Sequence, residues 1–343
     1  MGLYRRLARP LLFALPPEAS HGVAIDLLRL PLPWSRIGGV RADPSLHVDL
    51  AGIRLRNPVG LAAGFDKSCR VVTSLGEIGF GYVVAGTVTR RPRRGNPKPR
   101  ILRRPESLSI VNSMGLPNRG AEYAARRLRA ARRTTAVLVS LADEEVEDVV
   151  AAHALLEPLA DGIELNVSSP NAPWRRERDN VGHLRRLLEA LGPLRRKPLF
   201  VKLPPFRGEE EREAVLAMAS LAREAGVEGL TCSNTVAVEE RGMATGRGGL
   251  SGGAITADTP RIVREVRAAT GAATLINASG GIFTAADALA CIEAGASTVQ
   301  VYTSMIYGGP RIVREITDGL AAALHTRGAS LRDLVGAGAG RVG

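Results

Sequence analysis

The run Asn166-Val167-Ser168-Ser169-Pro170-Asn171 places two carboxamides around two hydroxyls, and it is the candidate reactive centre of the sequence. Each asparagine offers both a donor and an acceptor, which suits a planar ligand rich in carbonyl and N–H groups. A serine hydroxyl is a poor base unless something accepts its proton in turn, so a base at Ser168 or Ser169 would need a relay; the plainer reading is a pair of turn hydroxyls. Similar polar groups recur as Gly64-Phe65-Asp66-Lys67, Thr87, Lys202, Ser233-Asn234-Thr235, Gly280-Gly281 and Tyr302-Thr303. Lys202 is costly to bury alone, so it calls either for an anionic ligand or for an ion pair inside the fold. Gly280-Gly281 with Tyr302-Thr303 fits a phosphate cradle of backbone N–H groups, or else a tight strand-to-helix turn. No His pair or carboxylate cluster accompanies these positions, so the expectation is no metal.

These residues become neighbours if the chain is built of eight β-α units. From Val59 onward, short β-rich apolar runs alternate with amphipathic stretches: Val59–Ala63, Tyr82–Thr87, Thr135–Ser140, Gly162–Val167, Leu199–Leu203, Gly229–Ser233, Ala273–Ala278 and Thr298–Tyr302. Helical patterns follow most of them, for example Arg212–Ala225 and Ala285–Ala294. Eight units in about 250 residues match an α/β fold of the (β/α)8 TIM barrel type better than an open doubly wound sheet. Such a barrel gathers its strand C-terminal ends on one face, and the polar residues above fall at those ends. Ahead of the barrel, Leu46–Leu50 and Ile53–Leu55 flank Ala51-Gly52 and read as a hairpin closing the barrel bottom. Between Thr87 and Thr134 an Arg/Pro/Gly-rich loop, the run Val111–Asn118 and a helix are expected, with the loop a candidate substrate wall.

A chain of 343 residues with 45% hydrophobic content can bury one large core, so one main domain is expected. Three cysteines without C-x-x-C spacing support neither a disulfide framework nor a zinc knuckle, and a reducing cytoplasm fits them. The net charge of +12, mostly from arginine, is open between an anionic membrane surface, an anionic substrate or cofactor, and a generally basic surface. No aromatic-flanked basic cluster points to nucleic acid. No stretch approaches the roughly 20 apolar residues of a membrane span, and the apolar run Leu11–Leu15 is too short for a signal peptide. Leu3, Leu7, Leu11 and Leu15 recur at helical spacing among Arg5, Arg6 and Arg9. Pro16-Pro17 breaks that helix and Glu18 begins a second, with Val23, Ala24, Leu27 and Leu28 on one side. Residues 1–41 are therefore expected to be an amphipathic helical extension that lies on a membrane surface, an ordinary cap on the barrel being the alternative; 42–343 would be the barrel.

Six ordered motifs resemble dihydroorotate dehydrogenase: Ala62–Lys67, Gly86–Thr89, Gly95–Arg100, Asn166–Asn171, Gly248–Gly252 and Val299–Tyr302. The resemblance runs from about Tyr4 to Ile316, and Glu18 and His21 around the second helix resemble the quinone-linked class 2 branch. It implies an FMN-dependent flavoprotein that oxidises dihydroorotate to orotate in de novo pyrimidine biosynthesis. A membrane quinone would be the acceptor, reached through the N-terminal helices, and the protein would be cytoplasmic and peripheral on the inner face of the cell membrane. By resemblance, Ala63, Gly64, Lys67, Thr87, Asn166, Lys202, Ser233, Gly252, Gly281, Tyr302 and Thr303 hold FMN. Lys67, Asn112, Ser113, Met114, Gly115, Leu116, Asn166, Asn171, Asn234 and Thr235 bind the substrate, with Lys67 on its carboxylate. Ser169 falls at the base position and takes the C5 proton while C6 passes hydride to the flavin.

The chain also departs from class 2. Leu116-Pro117-Asn118 stands where Phe-Asn-Asn is usual, and Ala172 and Trp174 stand where Thr and Gly are usual, so the Phe and Thr that relay the serine proton are missing. Asn112–Asn118 and Lys202-Leu203-Pro204-Pro205 are instead similar to the soluble class 1 enzymes, and a flavin-contacting Asn of class 2 is expected to be replaced near Leu138. The alternatives are a paralogue with another cyclic amide substrate or another acceptor, and a non-catalytic basic barrel. The Lys67, Asn112, Asn171 and Asn234 set argues against the second. Cys232 reads as a small core hydrophobe.

Overall fold

The structure is a computed structural model that describes residues 4–169 and 179–338. Its strands, in chain order, are β1 (Val48–Leu50), β2 (Ile53–Leu55), β3 (Val59–Leu61), β4 (Tyr82–Val88), β5 (Ile101–Arg104), β6 (Ser109–Asn112) and β7 (Ala136–Leu141). There follow β8 (Gly162–Asn166), β9 (Leu199–Leu203), β10 (Gly229–Cys232), β11 (Val236–Glu239), β12 (Arg247–Gly252), β13 (Leu275–Ser279) and β14 (Thr298–Val301). The closed barrel runs β3-β4-β7-β8-β9-β10-β13-β14 and back to β3, with every neighbouring pair parallel. Each of the eight expected strands is present, because runs buried on both faces read as near-continuous Val, Ile and Leu.

The hairpin β1-β2 closes the barrel bottom. Leu50 and Leu55 pack there against Tyr82, Val84, Leu138 and Phe200, all fully buried. Two glycines make room for the aromatic side chains of this layer: a Cβ at Gly60 would lie 2.4 Å from the Tyr82 ring, and one at Gly229 would lie 2.8 Å from the Phe200 ring. With the bottom filled, the open end is the one where the strands finish.

The insertion after β4 is more ordered than the loop expected from its composition. It contains β5 and β6, which join β11 and β12 in a four-stranded antiparallel sheet of order β11-β12-β6-β5. The helix expected after it is present as Ala121–Ala130.

Three helices precede the barrel: α1 (Arg9–Ala14, continuing a π-helical turn Tyr4–Ala8), α2 (Pro17–Leu28) and α3 (Trp34–Gly38). The second begins at Pro17 rather than Glu18, since proline is favoured in the first helical turn where its missing N–H costs nothing. Tyr4 Oη donates to the Ile306 carbonyl at 2.7 Å, and Phe13 meets Tyr307 edge-on with centroids 5.3 Å apart. The Arg103 guanidinium stacks 4.3 Å over the Phe13 ring and donates to the Phe13 and Leu15 carbonyls at 3.1 and 3.0 Å, closing the end of α1. The helical extension is thus fastened beside the C-terminal mouth of the barrel.

Candidate active site

One cavity occupies that mouth, and nearly every residue singled out in the sequence lines it. Ala63, Gly64, Lys67, Thr87, Asn112, Met114, Gly115, Leu116, Asn166, Ser169, Lys202, Ser233, Asn234, Thr235, Gly252, Gly281, Tyr302 and Thr303 all reach its wall. Ser113 does not join them. Asn171, with Ala172 and Trp174, lies outside the described residues. Ser113 is buried behind the wall, where its hydroxyl accepts from Thr245 Oγ1 at 2.7 Å and its carbonyl accepts from Asn96 Nδ2 at 3.1 Å. Its part is therefore to hold the wall rather than to face the cavity.

The amides are fixed by a chain of hydrogen bonds across four strand ends. Asn234 Nδ2 donates to Ser168 Oγ at 2.8 Å, and Ser168 Oγ donates to Asn166 Oδ1 at 2.8 Å. Asn166 Nδ2 donates to Thr87 Oγ1 at 2.9 Å, and the Ser140 hydroxyl lies 3.1 Å from that same oxygen. The two serines part company here. Ser168 is fully buried and engaged with both asparagines, whereas Ser169 is half-buried and faces the cavity. Leu138 packs in the bottom cluster, so the polar residue that ends its strand is Ser140, which the sequence reading passed over.

Two of the chain's four lysines are in this cavity, against 42 arginines in the sequence. A compact ammonium suits a point contact where a planar guanidinium fork would need more room. Burial pulls the Lys67 ammonium down to about 8; Arg100 adds to that, while Glu18 and Asp66 push it back up. Lys202 is 4% exposed, and burial lowers it too, opposed by Glu164 from the barrel interior. Glu164 Oε2 accepts from Thr231 Oγ1 at 2.9 Å, and its Oε1 has no hydrogen-bond partner. On the cavity floor Gln300 is buried near the Tyr82 hydroxyl, yet neither its amide nitrogen nor its oxygen is in hydrogen-bond geometry.

Glycines shape the far side. Gly252 and Gly281 have φ of +93° and +69°, and a Cβ would lie 2.3 Å from the Leu108 carbonyl oxygen or 2.4 Å from Thr256 Cα respectively. Only glycine fits at either place. Beside them Thr303 Oγ1 and Ser251 Oγ are 3.0 Å apart, and Tyr302 Oη donates to the Gly64 carbonyl at 3.2 Å. A buried ammonium, a floor amide with unused hydrogen-bonding groups and a glycine-lined end fit a planar cofactor that carries a phosphate.

Outward, the lining becomes apolar. Tyr4, Ala8, Leu12, Phe13, Pro17, Ala24 and Leu28 continue the same cavity along the N-terminal helices. His21 packs edge-on against Phe65, which packs edge-on against Tyr302, with centroids 5.2 and 5.9 Å apart. Burial first, then the Lys67 charge, brings His21 down to about 3, so its imidazole is neutral. The inward face of these helices was not legible as a lining, because their leucines served equally well for an outward one.

Fold and cavity together define a (β/α)8 barrel enzyme whose strand-end site is made for planar, hydrogen-bonding, anionic ligands. The family model for dihydroorotate dehydrogenase matches residues 45–324. Dihydroorotate dehydrogenase (quinone) of Erythrobacter litoralis is 40% identical over 96% of this chain and 98% of its own, and that of Thermus thermophilus is 38% identical over 93% and 96%. The crystal structure of DHODH in complex with ferulenol from Eimeria tenella superposes with a TM-score of 0.83 at 31% identity, covering 95% of this chain and 98% of that one. The chain belongs to the dihydroorotate dehydrogenase family.

Proposed function

We propose that this protein oxidises dihydroorotate to orotate with FMN as cofactor and a membrane quinone as acceptor. The observation that carries the reading is one cavity that joins an amide-lined polar end to an apolar end lined by the N-terminal helices. When bound, FMN supplies the hydride acceptor for the substrate and the electron donor for the quinone.

The chain's own residues account for the rest. Lys202, Thr87, Asn166 and Ser233 would hold the flavin ring, with the Lys202 charge offsetting the negative charge of its reduced form. The backbone around Gly252, Gly281, Tyr302 and Thr303 would hold the phosphate, and Ala63 and Gly64 would lie along the ring. Lys67 would pair with the substrate carboxylate; Asn112, Asn234, Thr235 and the backbone of Met114–Leu116 would orient the substrate ring, with Asn171 completing the set. Ser169 Oγ would take the C5 proton while passing its own hydroxyl proton to solvent water, since the Phe and Thr that usually relay it are missing. Ser168, already donating to Asn166, keeps the neighbouring amides in register for that transfer.

The N-terminal helices support a peripheral membrane site on the inner face of the cell membrane. Leu7, Leu11, Leu15, Val23, Leu27, Leu30 and Leu32 are exposed large hydrophobics, Leu11 at 73%, and Arg5, Arg6 and Arg9 lie among them. Among the described residues no helix is long and apolar enough to cross a membrane. An apolar face with interleaved arginines suits a helix pair lying in the lipid headgroup region.

The acceptor is tested by turnover of dihydroorotate with a quinone analogue and, separately, with fumarate. The quinone should sustain turnover and fumarate should not; turnover with fumarate alone would overturn the assignment of the acceptor.

A further inference from the structure

We propose that Glu18 and Arg100 are positioning residues for substrate binding, an ion pair through which α2 holds the substrate wall Met114–Leu116 in its binding shape. The proposal rests on the reading that this wall faces dihydroorotate.

Arg100, just ahead of β5, is 8% exposed, and its guanidinium joins three pieces of chain. Nε and Nη2 grip the Glu18 carboxylate at 3.2 and 2.5 Å, a two-point contact with the first turn of α2. Nη1 donates to the carbonyls of Arg94 and Asn96 at 2.7 and 2.9 Å. The main-chain carbonyl of Arg100 accepts the Ser113 N–H at 2.9 Å.

Asn96 passes this on to the wall. Its N–H donates to the Met114 carbonyl at 2.9 Å and its Nδ2 to the Ser113 carbonyl at 3.1 Å. Gly115 approaches it so closely that a Cβ there would lie 2.5 Å from Asn96 Oδ1. The wall needs such restraint. Gly115 and Leu116 sit at φ of +67° and +55°, and a leucine keeps a left-handed backbone only where its surroundings hold it.

Without Glu18, two donors of a buried guanidinium would lose their acceptors, a cost that Arg100 can relieve only by turning away and releasing Arg94 and Asn96. The wall would then relax from the shape that fits the substrate ring, although neither Glu18 nor Arg100 lines the cavity. Lys98 Nζ, 3.4 Å from Glu18 Oε2, is 69% exposed and contributes little.

The test uses the full chain loaded with FMN and measures the Kd of orotate from the change in flavin absorption, with KM and kcat for dihydroorotate alongside. Glu18→Ala should raise Kd and KM about tenfold while kcat stays within twofold; Glu18→Gln should recover part of the loss, and Lys98→Ala should leave Kd unchanged. Flavin-loaded Glu18→Ala that binds orotate as tightly as the parent would overturn the proposal. So would a variant in which flavin content, melting temperature and kcat fall together, since that marks damage to the fold rather than to the wall. A parent protein that binds no orotate would remove the functional reading itself, whereas the first two outcomes remove only the coupling.

Discussion

At the scale of the residue, the proposed function makes Lys67 the group whose charge substrate binding depends on. Burial brings its ammonium down to about 8, so it is charged at neutral pH and loses its charge as pH rises through that value. An anionic substrate binds the charged form. Orotate affinity should therefore be flat below about pH 8 and fall about tenfold per unit above it, as flavin-monitored titrations across that range would show. A flat profile to pH 10 would contradict the assignment. Lys67→Met should cost about 2 kcal/mol, or ~30-fold in Kd, at pH 7. Lys67, Lys202, Asn166 and Asn234 were legible in the sequence because strand ends of a barrel converge whatever the loops do. The distinction between Ser168 and Ser169 was not, because it depends on which hydroxyl the Asn234 amide reaches. Nor was the withdrawal of Ser113 behind the wall, which is decided by Asn96 and Thr245 at distant positions.

At the scale of the element, the eight barrel strands announce themselves as continuous apolar runs, while β5, β6, β11 and β12 do not. β5 is only partly buried along its length, and β6 finds its partner β12 from more than 130 residues away. Their pairing is a tertiary event that local pattern cannot report. That small sheet carries Arg103 to α1, Asn112 to the cavity and Gly252 to its glycine-lined end, so it is the part that relates the helical mouth to the polar site. The exposed face of α1 makes a separate prediction. Replacing both Leu7 and Leu11 by Glu should weaken cosedimentation with anionic lipid vesicles at least about tenfold, since each removes an apolar side chain from the interface and adds a like charge to it. Turnover with a water-soluble quinone analogue should change less than twofold. Undiminished vesicle binding would make the helix pair a cap on the barrel and nothing more.

At the scale of the whole molecule, the fold keeps a polar reaction and an apolar one apart within a single cavity. Packed side chains fill the bottom, the strand ends supply amides and lysines, and the N-terminal helices supply the hydrocarbon lining. The excess of arginine is partly absorbed by the fold itself: Arg56, Arg103 and Arg267 donate to main-chain carbonyls, and Arg100 does so while gripping Glu18. These arginines keep their charge, and the net +12 of the chain suits an anionic substrate and anionic lipid. On the proposed function, dihydroorotate gives its electrons to a flavin at the strand ends with Ser169 as the base. Anaerobic mixing of the FMN-loaded protein with dihydroorotate, followed by flavin absorption, tests it most directly. The parent should bleach within a turnover and Ser169→Ala should bleach ~100-fold more slowly or less; a parent that stays yellow, or a variant that bleaches as fast as the parent, would contradict the account.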